Sequence, residues 1–482
     1  MNRAIKQKFT NHINGVYLIT DHDENLIERV GKALPHISVL QFRPKQFSIE
    51  KKMEIAEKLK ELCNKTGIPF IINDDPEFAL AVGADGLHIG QGDGDPLKIR
   101  EFMGEELILG LSTHNMEEAL KAEKAGADYI GFGAMFPTNS KDVSQIAGVE
   151  ELVKIRPQIN IPIVAIGGIT RDNAGEVINA GADFTAVISS VMSDKTPGTA
   201  AAELSLLFNR KNMAPKGSVL TVAGSDSGGG AGLQADIKTV TLLGAYAASV
   251  VTALTSQNTL GVNRIHPVPP EFVASQLESV LSDIPVNVVK TGMLFSAEMM
   301  EIVADKLLKF NKPILVMDPV MIAKGGASLI DSSAVACMKE KLLPVTYLLT
   351  PNIPEAETLT GISITCRNDM KEAALKLRNM GSRNILLKGG HLPGIEAIDL
   401  FFDGKNFIFY NSPRIDTTNT HGTGCTLASA ISANLALGYP LPDAIKKGKD
   451  FITEAIKFAV PLGKGHSPVN HYAASVKITK KL

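Results

Sequence analysis

The stretch Asn419–Thr426, NTHGTGCT, runs into the apolar pattern LASAISANLALG, and so reads as a loop feeding a helix. Gly422, Thr423 and Gly424 can turn their amides toward one point at the positive end of that helix. This makes an anion hole suited to a phosphoryl group in transfer. Cys425 falls in the first helical turn, where a depressed thiol pKa would supply a thiolate base for an attacking hydroxyl. Asn352 and Glu355, three apart in TPNIPE, suit water-mediated Mg²⁺ and phosphate binding. Asp318 in MDPVM is a second acid, and Lys388 in LLKGGH is a cation for nucleotide phosphates. Singly, each also reads as a cap, a turn or a small core residue. Together they point to phosphoryl transfer from ATP.

The first half carries a different set. Gln41, Arg43 and Lys45 stand in QFRPK, where two cations two apart on extended chain face one side and suit a diphosphate. Asp74 follows Asn73, and Asp93 closes HIGQGD. Carboxylates on neighbouring strand ends can hold Mg²⁺ with substrate phosphate. Thr138, Ser140 and Lys141 in FPTNSK offer two hydroxyls and a cation. IGGI with Gly168, and ISS with Ile188 and Ser189, offer backbone amides to a further phosphate. A solvated cation pair, a helix cap at Asp74 and a turn at Asp93 are the bland readings of the same residues.

These residues need strands to present them. β-rich runs fall at Gly15–Thr20, Val39–Phe42, Pro69–Ile72, Gly86–Ile89, Leu107–Leu111, Tyr129–Gly133, Ile163–Ile166 and Phe184–Ile188, with helical patterns such as Ile49–Cys63, Met116–Ala125 and Arg171–Ala180 between them. Eight strand–helix repeats in about 200 residues predict a TIM (β/α)₈ barrel, with its site where strands end. After Phe208–Ser218, which is polar, basic and Pro/Gly-punctuated, the chain restarts with Val219–Ala223 and a glycine-rich loop. That loop matches no P-loop or dinucleotide fingerprint. Runs at Tyr246–Ala253, Val286–Thr291, Ile314–Met317, Tyr347–Thr350, Ile385–Lys388, Ala397–Phe402 and Phe407–Tyr410 predict an open α/β sheet. The expectation is a first domain over 1–208, a linker over 209–217 and a second domain over 218–482.

The bulk numbers agree with two soluble domains. The chain has 482 residues, 44% of them hydrophobic and 21% charged, with a net charge of −2. It shows no basic face for nucleic acid and no run near the ~20 apolar residues of a membrane helix. The cysteines Cys63, Cys337, Cys366 and Cys425 form no metal or disulfide spacing. The start, MNRAIKQKFTNH, lacks the apolar core of a secretory signal, so a cytoplasmic protein is expected.

From about 14 to 208 the chain resembles thiamine-phosphate synthase, through Q-x-R-x-K, N-D, H-x-G-Q-x-D, S-T-H, F-P-T-x-S-K and A-I-G-G-I. The resemblance implies that Gln41, Arg43, Lys45, Asn73, Ser112 and Lys141 bind an aminopyrimidine diphosphate, with Asp74 and Asp93 on Mg²⁺. It places Thr138, Ser140, Gly168, Ile188 and Ser189 on thiazole phosphate. Arg43 and Lys141 would stabilise the departing diphosphate, and no nucleophile is needed. A thiazole tautomerase shares the barrel but lacks much of this diphosphate apparatus.

Residues 217–482 resemble hydroxymethylpyrimidine/phosphomethylpyrimidine kinase, through AGSDSGGGAGLQAD, TALTSQNTLGV, KTGML, DPVM, TPNIPEAE, KGGH and HGTGCT. Here the resemblance implies a ribokinase-like fold, ATP as phosphoryl donor, and Gln257, Asp236 and Gly224 at the pyrimidine. Cys425 would be the base, Asn352 and Glu355 the metal–phosphate element. Such kinases are often dimers, so a homodimer is implied. Ser467 departs from the usual G-H-G-P. An active kinase fused to a non-synthase barrel, and a non-catalytic sensor, are the competing readings.

Overall fold

The computed structural model describes residues 14–20, 23–43, 47–138, 146–211, 215–321, 331–392 and 394–479. The chain divides into two compact units, Met1–Phe208 and Asn209–Leu482.

In the first unit eight parallel strands close into a barrel: β1 (Gly15–Ile19), β2 (Val39–Phe42), β3 (Phe70–Asn73), β4 (Gly86–Ile89), β5 (Ile108–Thr113), β6 (Tyr129–Gly133), β7 (Ile163–Ile166) and β8 (Phe184–Val187), with β8 pairing back onto β1. The strands are covered on both faces, which is why they read as apolar runs and not as alternating ones. Outward residues such as Leu18, Leu40, Ile72 and Leu87 pack under the helices. Inward ones, Tyr17, Val39, Ile71, Ile108, Tyr129, Val164 and Phe184, fill the interior. The Ile49–Thr66 helix shows how the outer layer is set: Ser48 caps the Lys51 amide, Ile55, Ala56, Leu59 and Cys63 form its buried stripe, and left-handed Gly67 ends it. Gly110 faces the interior at the level of Tyr129, where a Cβ would lie 2.1 Å from the Tyr129 Cζ. A Cβ on Gly131 would meet His88 Cε1 at 3.0 Å. Two glycines thus make room for one phenol and one imidazole.

The second unit is a nine-stranded mixed sheet in the order β11-β10-β9-β12-β13-β14-β15-β16-β17. Its strands are β9 (Ser218–Asp226), β10 (Tyr246–Asn258), β11 (Gly261–Pro267), β12 (Val288–Thr291), β13 (Leu315–Met317), β14 (Leu348–Leu349), β15 (Asn384–Lys388), β16 (Glu396–Phe402) and β17 (Phe407–Pro413). The six inner strands β10 to β15 are parallel, while β11, β16 and β17 pair antiparallel at the edges. The Pro270–Leu281 and Ala297–Lys309 helices pack on one another, as do Gly232–Leu242 and Thr423–Ala436. Strand order reverses at β9, whose neighbours are β10 and β12, and the crevice beyond the carboxyl end of such a strand is where α/β sheets bind ligands. Residues 207–211 form a 3₁₀ turn, and the Asn209 side chain donates to the Ala436 carbonyl, so the stretch read as a linker begins in ordered chain.

Candidate active sites

In the second unit the carboxyl ends of β9, β10, β13 and β15 surround a cavity of about 580 Å³. Gly224, Gln257, Asp318, Asn352, Glu355, Lys388, Gly422, Thr423, Gly424 and Cys425 all line it. The Thr423–Ala436 helix starts from Gly422, held at φ +80, where a Cβ would strike the Gly230 carbonyl at 1.9 Å. Two glycine loops therefore meet backbone to backbone, which aims the first helical amides at the cavity. Beside this helix start Lys388 Nζ donates to Asp318 Oδ1 at 2.7 Å, and a Cβ on Gly424 would lie 3.3 Å from Asp318 Oδ2 and 3.4 Å from Lys388 Nζ. The anion hole and this ion pair are thus in van der Waals reach of one another.

Asn352 and Glu355 make a reciprocal capping box on the Ile353–Thr360 helix, Asn352 Oδ1 accepting from the Glu355 amide and a Glu355 carboxylate oxygen from the Asn352 amide. The cap reading is therefore true, and Glu355 still faces the cavity. Burial drives its pKa up to about 7, with Lys388 opposing and Asp318 adding. Two carboxylates, Asp318 and Glu355, thus line the cavity beside Lys388, a donor set of the kind with which Mg²⁺ binds when it keeps water and phosphate ligands.

Two expectations are corrected. Asp236 is fully buried and does not line the cavity: it accepts from Lys290 Nζ at 2.8 Å, Thr221 Oγ1 at 2.5 Å and Ser429 Oγ at 2.6 Å. Burial disfavours the Lys290 charge, but Asp236 overrides it and leaves the ammonium pKa raised. Nor is the Cys425 thiol depressed: burial pushes it up to about 11, Lys290 pulling down and Asp236 and Asp318 pushing up. The helix end loses to desolvation and two carboxylates.

The acid that does reach the cavity from the glycine-rich loop is Asp226, which sequence reasoning missed although it stands in AGSDSGG. It accepts from the amides of Gly228, Gly230 and Ala231, and lies 3.0 Å from His421 Nε2, which is also 3.2 Å from Gln257 Nε2. Burial works against its charge, yet His421 and the amides of Ala231 and Gly228 hold its pKa below the ordinary value. The Ser467 departure is accommodated locally, its Oγ accepting from the Leu462 amide and donating to the Leu462 carbonyl.

In the first unit all strands are parallel, so their carboxyl ends share one mouth. Gln41 is the penultimate residue of β2 with Arg43 just beyond the strand, Asn73 ends β3 beside Asp74, and Asp93 follows β4. Ser112 is near the end of β5, Thr138 follows β6, Gly168 follows β7, and Ile188 and Ser189 follow β8. Lys45, Ser140 and Lys141 lie outside the described residues. The helix cap is Asp75, not Asp74, which instead sits at φ +66 with its amide on the His88 carbonyl. Asp93 does make a turn, accepting from the Gly90 amide at 2.7 Å. Left-handed Gly168 lies where a Cβ would strike the Pro137 carbonyl at 2.5 Å, so the loops after β6 and β7 touch through backbone. Tyr17, His88 and Tyr129 also reach the interior; His88 opens the H-x-G-Q-x-D motif, whereas nothing in local sequence singles out the two tyrosines.

A (β/α)₈ barrel whose strand ends share one mouth and a mixed α/β sheet with a cavity at its switch point define a two-domain α/β protein of the enzyme-like class. Residues 16–191 match the family model for thiamine monophosphate synthase, and residues 226–470 match that for phosphomethylpyrimidine kinase. The thiamine biosynthesis bifunctional protein ThiED of Geobacter sulfurreducens is 58% identical over 471 residues, which is 98% of this chain and 96% of that protein. The hydroxymethylpyrimidine/phosphomethylpyrimidine kinase of Bacillus subtilis is 48% identical over 255 residues, 53% of this chain and 94% of its own. Among solved structures, an ADP complex of Bacillus subtilis pyridoxal kinase aligns at a TM-score of 0.51 and 34% identity, covering 54% of this chain and 99% of that one. The chain belongs to the family of bifunctional thiamine-biosynthesis proteins. No helix among its described residues is long and apolar enough to cross a membrane.

Proposed function

We propose that residues 218–482 phosphorylate 4-amino-5-hydroxymethyl-2-methylpyrimidine and then its monophosphate with ATP. Residues 1–208 couple the resulting diphosphate to thiazole phosphate, giving thiamine phosphate and diphosphate, and 209–217 join the two. The observation that carries the kinase assignment is one cavity with Gln257 on its wall and, facing each other, the Gly422–Cys425 helix start and the Asp318–Lys388 pair. In this reading Gln257 binds the pyrimidine and the amides of Gly424 and Cys425 hold the transferring phosphoryl group, while Cys425 takes the hydroxyl proton as the minor thiolate form, scarce near neutral pH because burial raises the thiol pKa to about 11 but correspondingly more basic. Asp318 and Glu355 hold Mg²⁺ through water and phosphate, and the ion neutralises charge on the ATP phosphates when bound.

At the barrel mouth Arg43 and Lys141 receive the departing diphosphate, Asp74 and Asp93 hold Mg²⁺ against it, and Gln41, Lys45, Asn73 and Ser112 bind the pyrimidine diphosphate. Thr138, Ser140, Gly168, Ile188 and Ser189 take the thiazole phosphate. The partners are small molecules, with no nucleic acid or membrane, in a cytoplasmic homodimer. A one-pot assay with the pyrimidine alcohol, ATP, Mg²⁺ and thiazole phosphate, read by mass, tests the scheme. Cys425→Ala should lose thiamine phosphate unless pyrimidine diphosphate is supplied, and Arg43→Ala should lose it regardless. Double phosphorylation without coupling would reduce the barrel to a thiazole-binding or tautomerase-like module.

A further inference from the structure

The barrel interior contains a continuous hydrogen-bonded run. Gln41 Nε2 donates to Tyr17 Oη at 3.1 Å, and Tyr17 Oη lies 2.7 Å from Tyr129 Oη. Tyr129 Oη is 3.0 Å from His88 Nδ1, and His88 Nε2 is 2.9 Å from Ser112 Oγ. The run thus joins five strands, β2, β1, β6, β4 and β5, and ends on two residues of the proposed pyrimidine diphosphate site. Phenylalanine would fill the space of either tyrosine without burying a hydroxyl that needs a partner.

We infer that Tyr17, Tyr129 and His88 are positioning residues for the barrel reaction: their run sets the polarity of the Gln41 amide and the Ser112 hydroxyl together. A phenol has one proton, and a neutral imidazole has one N–H and one bare nitrogen. With Gln41 donating, Tyr17 gives its proton to Tyr129 and Tyr129 to His88 Nδ1. His88 then carries its proton on Nε2 and donates to Ser112 Oγ, which leaves the Ser112 proton for a ligand. Reversing the run requires Gln41 to present Oε1 to Tyr17, His88 to move its proton to Nδ1, and Ser112 to donate to His88. The two ends therefore switch together. Diphosphate oxygens only accept, so Ser112 must donate to them, and the first polarity is the one that fits. It also leaves Gln41 with Oε1 and one N–H, the complement of an aminopyrimidine edge.

This rests on the proposed placement of Gln41 and Ser112 at the pyrimidine diphosphate. The test uses the full chain, with steady-state coupling kinetics on supplied pyrimidine diphosphate. Tyr129→Phe should lower kcat/KM for that substrate about tenfold or more while leaving the KM for thiazole phosphate unchanged. In ¹⁵N-histidine spectra the His88 signal, identified by its loss in His88→Asn, should show the Nε2–H tautomer in wild type and a tautomer mixture in Tyr129→Phe. In a Ser112→Ala background the Tyr129→Phe effect should shrink, because the two act in series. Tyr17→Phe replaces Tyr129→Phe if the latter melts early. If Gln41→Ala and Ser112→Ala weaken the substrate but both tyrosine variants stay within twofold of wild type, or leave the tautomer unchanged, the inference is overturned and the site placement stands. If Gln41→Ala and Ser112→Ala themselves keep wild-type KM, the site placement fails and the inference with it.

Discussion

Glu355 is a residue at which function and stability oppose each other. Burial, resisted by Lys388 and reinforced by Asp318, raises its pKa from 4.5 to about 7. Between those values the native state holds a proton that the unfolded chain has released, so stability falls as pH rises through that window and stays lower above it. Glu355→Gln should therefore stabilise the kinase unit at pH 8 by on the order of 3 kcal/mol, read as a higher melting temperature, while abolishing phosphorylation. At pH 4.5 the two forms should melt together, and an unchanged or lower melting point at pH 8 would contradict the assignment. Asp236 carries the opposite expectation. Its partner Lys290 has no exposed surface, so Asp236→Asn strands a buried ammonium and should cost about 3–5 kcal/mol in the kinase transition. If that variant instead folds normally and only raises the KM for the alcohol, Asp236 does read the pyrimidine. The error in reading it from sequence has a plain cause: Lys290 is 54 residues away, and nothing local distinguishes a buried ion pair from a ligand contact.

At the level of elements, legibility followed burial. The eight barrel strands and the inner strands of the sheet are apolar runs because both their faces are covered, and their bounds shift by only a few residues. β11, GVNRIHP, was invisible because none of its residues is buried, so it has no apolar run to find. The anion-hole loop and the strand-end acids were legible as motifs. The Tyr17–Tyr129 contact was not, since it links positions 112 apart across the barrel. Its trace in the sequence is the glycine opposite. Gly110→Ala would drive a methyl into the Tyr129 ring, a cost of about 1–3 kcal/mol or more. The expected result is a lower barrel melting temperature and weakened coupling with kinase turnover intact, and Tyr129→Ala added to it should recover part of the stability. Equal melting of Gly110→Ala and wild type would mean the interior yields more easily than its packing indicates.

Across the whole molecule, the proposed scheme makes the pyrimidine diphosphate both product of one unit and substrate of the other. Two variants, each dead in one step, should then complement in solution: Cys425→Ala mixed with Arg43→Ala should form thiamine phosphate from the alcohol, after a lag that shortens as protein concentration rises. No product from the mixture, with each intact half active alone, would require the intermediate to stay within one chain. The two units also differ in how they meet light. The chain has seven tyrosines and no tryptophan, and only Tyr17 and Tyr129 fall within residues 1–208. The phenolic absorption of the barrel therefore belongs entirely to the pair at its centre. Burial raises the pKa of both, so alkali that ionises exposed tyrosines elsewhere leaves this pair without the absorption of the phenolate until the strands part. In the second unit Tyr410, raised to about 12, also ionises late and Tyr347 is buried as well, so the part of the alkaline absorbance rise that Tyr17→Phe and Tyr129→Phe remove is the optical count of opened barrels.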